Sequence, residues 1–240
     1  MKMTKKKLFT LAVAVCMIAI LSFSTLAWFA DDDAVTNKFQ MATSTQDKDD
    51  IFSVDVKENI DTDGDGQPDK VVGEGSDVTT GELYEDILPG SELSKRPFAE
   101  NTGAYGQYVR VTVTLSNGSE WAAMMAPYGL TAEDLWAGSL DTTNWERLYD
   151  PAVDSTADTV TYTYYYKAVL APTETTTEVF TEIVIPNQLT REDMAKLTAG
   201  EFTLEVIAEA VQSENLGDGV DTAYEAFRVV APATTPVVTP

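Results

Sequence analysis

The sequence predicts a mainly β fold: an antiparallel β-sandwich of about eight or nine strands, with two short helices in the connections. Several stretches alternate apolar and polar residues with the period of two that is typical of half-buried strands. These stretches do not alternate regularly with helical patterns, which argues against a parallel sheet. Apolar residues make up 44% of the chain, so a core can form and disorder throughout is excluded.

The clearest strand pattern is Tyr108–Leu115, in which every second residue from Val109 to Leu115 is predicted to face the core. Pro97 lacks a backbone N–H, so the strand that contains it is expected at a sheet edge or at a bulge. Other segments of strand composition are 51–57, 82–88, 94–103, 159–170, 178–185 and 202–210.

Two helix starts are predicted from capping residues. Thr131 is placed to cap a helix while Asp134 reaches back to it, and Thr190 begins the same pattern with Asp193. The second of these helices is expected to end at Gly200.

The first 27 residues have the pattern of a secretory signal peptide. Lysines near the start precede an almost wholly apolar run, Leu8–Leu26, and Thr25-Leu26-Ala27 places small residues at the cleavage positions. The alternative is a retained membrane anchor, because the run is about long enough to span a bilayer. N-terminal sequencing of the secreted protein distinguishes cleavage before Trp28 from retention. Cys16 lies in this segment, so the mature chain is predicted to contain no disulfide.

The composition of the chain excludes several classes of function. It carries 16 Lys and Arg against 39 Asp and Glu, a formal net charge of −23, and no histidine. Such acidity opposes binding to nucleic acid and to anionic membranes, so membrane contact is expected only through an uncleaved signal. Without histidine there is no Ser-His-Asp or Cys-His mechanism, and the usual zinc ligands are missing.

An aspartate-rich stretch has the spacing of a calcium-binding loop. Calcium needs several oxygen ligands that converge from a short loop, and glycines let the loop curl. The predicted ligands are Asp61, Asp63, Asp65, Gln67 through its backbone carbonyl, and Asp69. An EF-hand would need glutamate at position 12 of the loop, where this chain has Val72, so short loops of the thrombospondin type 3 and dockerin kind match better. The alternative is a solvated hairpin turn, since Asp and Gly also favour turns.

Several parts of the chain resemble the TasA/camelysin family, and together they cover most of the sequence from Thr25 to Phe227. The mature N-terminus has aromatic residues at Trp28-Phe29, then Asp31-Asp32-Asp33, then Thr36-Asn37-Lys38-Phe39, a pattern similar to mature proteins of that family. The second part is a series of separated matches in order: Pro89-Gly90, Lys95, Pro97, Asn101-Thr102-Gly103 and Tyr108-Val109-Arg110-Val111.

The resemblance implies a fold and a function. The fold would be a jelly roll, and the signal would be cut by a dedicated SipW-type peptidase. The protein would be secreted to the extracellular matrix or cell surface of a Gram-positive bacterium, where it would form biofilm fibres with copies of itself and with other matrix proteins.

The same resemblance implies donor-strand exchange, in which the N-terminal segment pairs with an open sheet edge of the next subunit. The apolar residues predicted to make this contact are Trp28, Phe29, Val35, Phe39 and Met41. Val35 to Met41 alternates as an extended strand would, whereas Asp31–Asp33 is expected to be a solvated start of the mature chain. Folding of the segment onto its own sheet stays open as the alternative.

Two other functions are weighed against the fibre subunit. One is a monomeric, calcium-stabilised surface adhesin whose tyrosines stack on glycans. The other is a secreted peptidase, because some camelysins are described as metallopeptidases; the missing histidines argue against it, and the chain is predicted not to be an enzyme. The predicted organisation is a signal peptide (1–27), a donor-strand segment (28–42), a β-sandwich domain (43–230) and a disordered Pro/Thr-rich tail (231–240).

Overall fold

The computed structural model describes residues 30–36, 40–41, 53–61, 65, 67–73, 84, 87–197, 202–217 and 219–230. This part of the chain is mainly β, with antiparallel sheets and few, short helices. The predicted signal peptide (1–27) and the predicted tail (231–240) lie entirely outside the described residues.

The strands and helices have the following bounds. The strands are β1 Ala30–Thr36, β2 Gln40–Met41, β3 Val54–Ile60, β4 Lys70–Val72, β5 Glu92–Ser94, β6 Arg96–Asn101, β7 Gln107–Ser116, β8 Trp145–Glu146, β9 Ala152–Asp154, β10 Thr159–Tyr166, β11 Glu182–Val184 and β12 Leu204–Gln212. The α-helices are α1 Gly118–Met125, α2 Arg191–Met194 and α3 Ala223–Val230. Short 3-10 helices occupy Ala126–Tyr128, Ala132–Leu135 and Ala137–Ser139.

In the part of the chain that the structure describes, the strands form one large sheet and two small ones. The main sheet has the order β2-β1-β12-β7-β10-β8, and β9 also pairs with β10. A second sheet has the order β4-β3-β6, and β5 pairs with β11 in a third. Every strand pairing is antiparallel.

One hydrophobic core joins the three sheets. Val109, Val111, Val113 and Leu115 of β7 are all 0% exposed, so the alternation predicted for this strand is confirmed. The small sheets contribute to the same core from their own strands, with Val54, Val56, Ala99 and Ile183. The period of two in these sequences therefore places one face of each strand in a shared interior.

The two predicted capping patterns are confirmed, but both helices are short. The backbone N–H of Thr131 donates to Asp134 at 2.6 Å and the Thr131 hydroxyl donates to the same carboxylate at 2.9 Å. The N–H of Asp193 donates to the Thr190 hydroxyl at 3.1 Å. The helix that begins there ends at Met194, so the predicted end at Gly200 is wrong.

Helix α3 covers part of the outer face of the main sheet and was not predicted. Ala226 and Phe227 of the helix pack with Tyr108, Tyr165 and Val211 in a second, smaller hydrophobic cluster. The sequence does contain a signal for this helix, because Thr222 and Glu225 have the T-x-x-E spacing of a capping box. In the structure the Thr222 hydroxyl donates to the Glu225 carboxylate at 3.0 Å.

Several predicted strand bounds differ from the structure. Strand β10 ends at Tyr166, before the predicted end at Leu170. Strand β11 covers only Glu182–Val184, because the chain bends just before it and turns soon after it. The described residues of the predicted strand 82–88 are Tyr84, Ile87 and Leu88, and none lies in a strand.

The predicted edge position of Pro97 is confirmed. Its strand, β6, is the last strand of the second sheet. The other side of β6 contacts irregular chain, where the N–H of Val179 donates to the carbonyl of Pro97 at 2.8 Å. An edge is the position in a sheet that tolerates a residue without an N–H donor.

A buried ion pair links the second and third sheets. Lys95, between β5 and β6, donates its Nζ to the carboxylate of Glu58 on β3, and the two side chains are 2% and 4% exposed. A more exposed pair, Lys57 with Glu100, joins β3 to β6 nearby. Each buried charge is tolerated because its partner compensates it.

We expect Lys95→Met to lower the free energy of unfolding by about 3–5 kcal/mol, because Glu58 would be left buried without its counter-charge. The double variant Lys95→Met with Glu58→Met should recover most of this loss. Lys57→Met, in the more exposed pair, is the matched control and should cost less. Urea unfolding of the four proteins measures these differences, and a loss below about 1 kcal/mol for Lys95→Met would contradict the assignment.

The capping carboxylate of Asp193 should make stability depend on pH. Its hydrogen bonds with Lys196, Thr190 and Tyr128 lower the pKa of Asp193 below its ordinary value of 3.8. A lowered carboxyl pKa stabilises the folded state above the unfolded pKa, and this stabilisation is lost as the pH falls through the folded pKa.

Asp193→Asn should therefore lower the melting temperature at pH 7, and the difference from wild type should shrink as the pH falls below 3.8. Thermal unfolding, followed by circular dichroism at pH values from 7 to below 3.8, measures the effect. Asp150→Asn, at an exposed position, is the control and should leave the curve unchanged. A difference for Asp193→Asn that stays constant with pH would contradict the role assigned to its charge.

Candidate functional site

The N-terminal strand β1 lies against the outer edge of β12. The two strands pair over all seven residues of β1, from Ala30 opposite Val211 to Thr36 opposite Glu205. On its other side β12 pairs with β7 over its full length. The backbone groups on one whole side of β12 therefore depend on a segment from the far end of the chain.

Strand β12 is itself well determined by its sequence. Leu204, Val206, Ala208 and Ala210 alternate with less buried residues, and all four are buried in the core. A one-residue slip would turn this apolar row to the other face, so the register of the strand is strongly specified. Strand β1 also lies beside β3, where the second sheet approaches the main sheet.

The predicted course of the N-terminal segment is wrong beyond Thr36. The chain reverses there, and β2 pairs back on β1 with Val35 opposite Met41 and Thr36 opposite Gln40. The strand that adds to β12 instead begins upstream and contains Asp31–Asp33, which was expected to be a solvated chain start. Of the five predicted contact residues, Val35 and Met41 lie in this hairpin. The others, Trp28, Phe29 and Phe39, lie outside the described residues.

An arginine neutralises acidic charge on the outer face of β12. The guanidinium of Arg110 on β7 donates to Glu209 through two hydrogen bonds, of 2.7 and 2.9 Å, and lies 4.3 Å from the centre of the Phe227 ring. Glu209 is the β12 residue in register with Asp32 of β1. Like charges at opposite positions destabilise paired strands, so the compensation by Arg110 favours pairing at this edge.

The predicted calcium loop forms the connection between β3 and β4. The N–H of Asp69 donates to the carbonyl of Ile60 at 2.8 Å, which closes the hairpin. The N–H of Gln67 donates to the Asp65 carboxylate at 2.8 Å, and Asp61 directly follows β3. Asp63, the remaining predicted ligand, lies outside the described residues.

The described part of the loop does not assemble a metal site by itself. Among the residues that the structure describes, no group of three or more His, Cys, Asp or Glu side chains is placed to hold a metal ion. The hydrogen bond from Gln67 orients the Asp65 carboxylate within the turn. Calcium binding by Asp61, Asp63, Asp65, Gln67 and Asp69 stays a prediction.

The tyrosines of β10 are mostly structural. Tyr162, Tyr164 and Tyr165 are buried, and the Tyr164 hydroxyl accepts from the Trp136 indole at 2.8 Å and donates to Glu133 at 2.9 Å. Burial raises the pKa of Tyr164. These rings are therefore not placed to stack on a glycan.

The Asn-Thr-Gly turn also has a structural role. Asn101 is fully buried, and its amide donates to the carbonyls of Tyr105 at 2.7 Å and Leu170 at 2.9 Å. Its side-chain oxygen accepts from the N–H of Gly103 at 3.0 Å. Three hydrogen bonds from one side chain fix the connection between β6 and β7, since buried polar groups must be paired.

Comparisons with known proteins give no assignment: no protein-family model, no curated protein and no solved structure matches this chain. None of the helices in the described ranges is both long enough and apolar enough to cross a membrane.

Calcium should bind the β3–β4 loop with a dissociation constant of about 10⁻⁴–10⁻³ M, as extracellular calcium modules do. Asp63→Ala with Asp65→Ala should weaken binding at least about tenfold, because two charged ligands are lost. Asp150→Ala with Glu214→Ala removes the same charge at exposed positions elsewhere and is the matched control. Isothermal titration calorimetry compares the three proteins. Equal calcium binding by all of them would place the site outside this loop.

Proposed function

We propose that this protein is a secreted structural subunit that assembles into extracellular biofilm-matrix fibres by donor-strand exchange. The N-terminal strand of one copy takes the place beside β12 in the next copy. The observation that carries the proposal is the pairing of β1 with β12 along its whole length. In the described structure β1 pairs with β2 and β12. Its departure would therefore leave the pairings among β3 to β12 in place.

The edge of β12 is suited to receive such a strand. Without β1, the N–H and C=O groups along that side of β12 would be unpaired, which makes the edge a template for another extended segment. The inner side of β12 stays fixed by its pairing with β7 and by the buried row from Leu204 to Ala210. An acceptor edge of this kind is rigid and open at the same time, as strand addition requires.

The finer fold we propose is a jelly roll. The first and last strands of the described residues, β1 and β12, lie side by side in the main sheet, followed by β7 and β10. A late strand that returns to lie beside an early one is the mark of Greek-key connections, from which jelly rolls are built. This order supports the jelly roll that the family resemblance implies.

Exchange between copies produces fibres because the contact is heterologous. The donor segment and the acceptor edge are different surfaces, so each copy offers one free donor and one free acceptor, and the contact propagates without closing. Before cleavage the signal peptide tethers the donor end, which holds assembly off until export.

A monomeric adhesin is the second candidate function, and one observation favours it. In the single chain β1 pairs with β12 of the same molecule, so the edge is already satisfied without a partner. The same backbone hydrogen bonds form within one chain or between two, and subunit concentration decides between them.

A truncated chain that begins at Thr43 should stay folded, or nearly so, but form no fibres, because it lacks the donor strand. An added peptide of residues 28–42 should bind to it. The matched control is the same peptide with Asp33→Pro and Ala34→Pro, which removes N–H donors that strand pairing needs and should abolish binding.

Circular dichroism measures folding, electron microscopy detects fibres, and titration calorimetry measures peptide binding. Fibres of normal appearance from the truncated chain would end the donor-strand proposal. If the mature chain that begins at Trp28 stays monomeric at every concentration while the truncated chain still binds the peptide, the adhesin is favoured.

A further inference from the structure

Two tyrosines from distant parts of the chain meet at the surface beside α3. Tyr149 lies between β8 and β9, and Tyr224 lies in the first turn of α3. Their ring centres are 5.4 Å apart, with an angle of 48° between the ring planes. The hydroxyl of Tyr149 donates to the hydroxyl of Tyr224. The edges of the two rings that carry the hydroxyls therefore face each other.

Neighbouring residues hold the backbone of Tyr149 and the ring of Tyr224 in place. One N–H of the Arg147 guanidinium donates to the carbonyl of Tyr149 at 2.7 Å, while the rest of that guanidinium is bound to Glu133. The ring centres of Tyr224 and Tyr165 lie 5.7 Å apart in a T-shaped arrangement, and the Arg228 guanidinium lies 5.5 Å from the centre of the Tyr224 ring. The pair is thus pre-organised rather than formed by chance between two mobile side chains.

Tyr149 is accessible from solvent, and Tyr224 is half-buried beside it. Tyr149 is 49% exposed, the largest value among the described tyrosines; Tyr105 and Tyr128 follow at 43% and 41%. In the described structure Tyr128 donates its hydroxyl to Asp193 at 2.9 Å, and neither it nor Tyr105 has a ring contact with another tyrosine. Of the three exposed tyrosines, Tyr149 alone therefore combines access with a neighbouring phenol.

We propose that Tyr149 and Tyr224 form a site of oxidative modification, at which a haem peroxidase with hydrogen peroxide joins the two rings into an intramolecular dityrosine. Each phenol loses one electron and one proton to give a phenoxyl radical. The two radicals couple through ring carbons next to the hydroxyls, and the hydrogens on those carbons move to the oxygens. Two hydrogen atoms are lost in all, and one hydrogen peroxide is reduced to two waters.

Geometry favours this bond over links between molecules. Two groups held in contact react as if at a very high local concentration, which exceeds the concentration of any other protein molecule in dilute solution. The hydrogen bond to Tyr224 raises the pKa of Tyr149 to about 12, so Tyr149 is a phenol at neutral pH. The new bond would tie the β8–β9 connection to α3 and hold the helix on the main sheet.

The test uses the whole mature chain at low concentration, treated with horseradish peroxidase and hydrogen peroxide at neutral pH. The expected product is a monomer with dityrosine fluorescence and a mass lower by two hydrogen atoms. Tandem mass spectrometry of its peptides should place the link between Tyr149 and Tyr224, and should distinguish it from a link through Tyr165. The cross-linked monomer should also melt at a higher temperature than the untreated protein.

Tyr149→Phe should abolish the monomer fluorescence, while Tyr105→Phe, a change at a similarly exposed tyrosine, should leave it intact. Peptide mapping of the wild type decides the question even if a variant folds poorly. Cross-links found only between molecules, or a monomer link that does not include both Tyr149 and Tyr224, would overturn the proposal. Oxidation of Tyr105 with no bond between Tyr149 and Tyr224 would overturn it as well.

Discussion

The architecture depends on the position of β12 between β7 and β1. Its pairing with β7 joins two well-determined strands whose inward rows are almost fully buried, and this pair forms the centre of the main sheet. Within the described residues, the opposite side of β12 pairs with β1. Because a row of unpaired backbone groups is both costly and adhesive, the identity of the strand beside β12 decides whether the molecule is closed or open to partners.

Several buried or half-buried polar groups of the described chain link elements of the fold. Lys95 with Glu58 joins two sheets, Asn101 fixes a turn, and Glu133 links Arg147 to Tyr164. Each of these groups is occupied by its partners, so its removal would leave an unpaired polar group in the interior. Lys95 and Asn101, two of the residues that carry the family resemblance, thus have physical roles in this structure that do not depend on that resemblance.

A feature could be predicted from the sequence when the residues that determine it are close together in the chain. Alternation along β7 and β12 and the capping boxes at Thr131 and Thr190 are local patterns, and the structure confirms them. The box at Thr222 is equally local and was missed. The Lys95–Glu58 pair and the Tyr149–Tyr224 contact join residues far apart in sequence, so only the folded topology brings them together. The alternation of residues from Val35 to Met41 predicted one extended strand, but this segment instead contributes to the hairpin of β1 and β2.

The composition of β1 fits a strand that can be exchanged. Three consecutive aspartates, Asp31–Asp33, give it a low intrinsic preference for β structure, so its order must come mainly from the edge that it joins. The strand that we propose as the acceptor, β12, differs from β1 because it is rich in buried apolar residues and is held by its pairing with β7. An acidic strand also repels unrelated strand edges, which limits pairing to a matched partner. In the exchange we propose, β1 is the donor, whose strand structure depends on its partner, and β12 is the acceptor, which β7 holds in place. This difference would let the donor leave without unfolding the domain that receives the next donor.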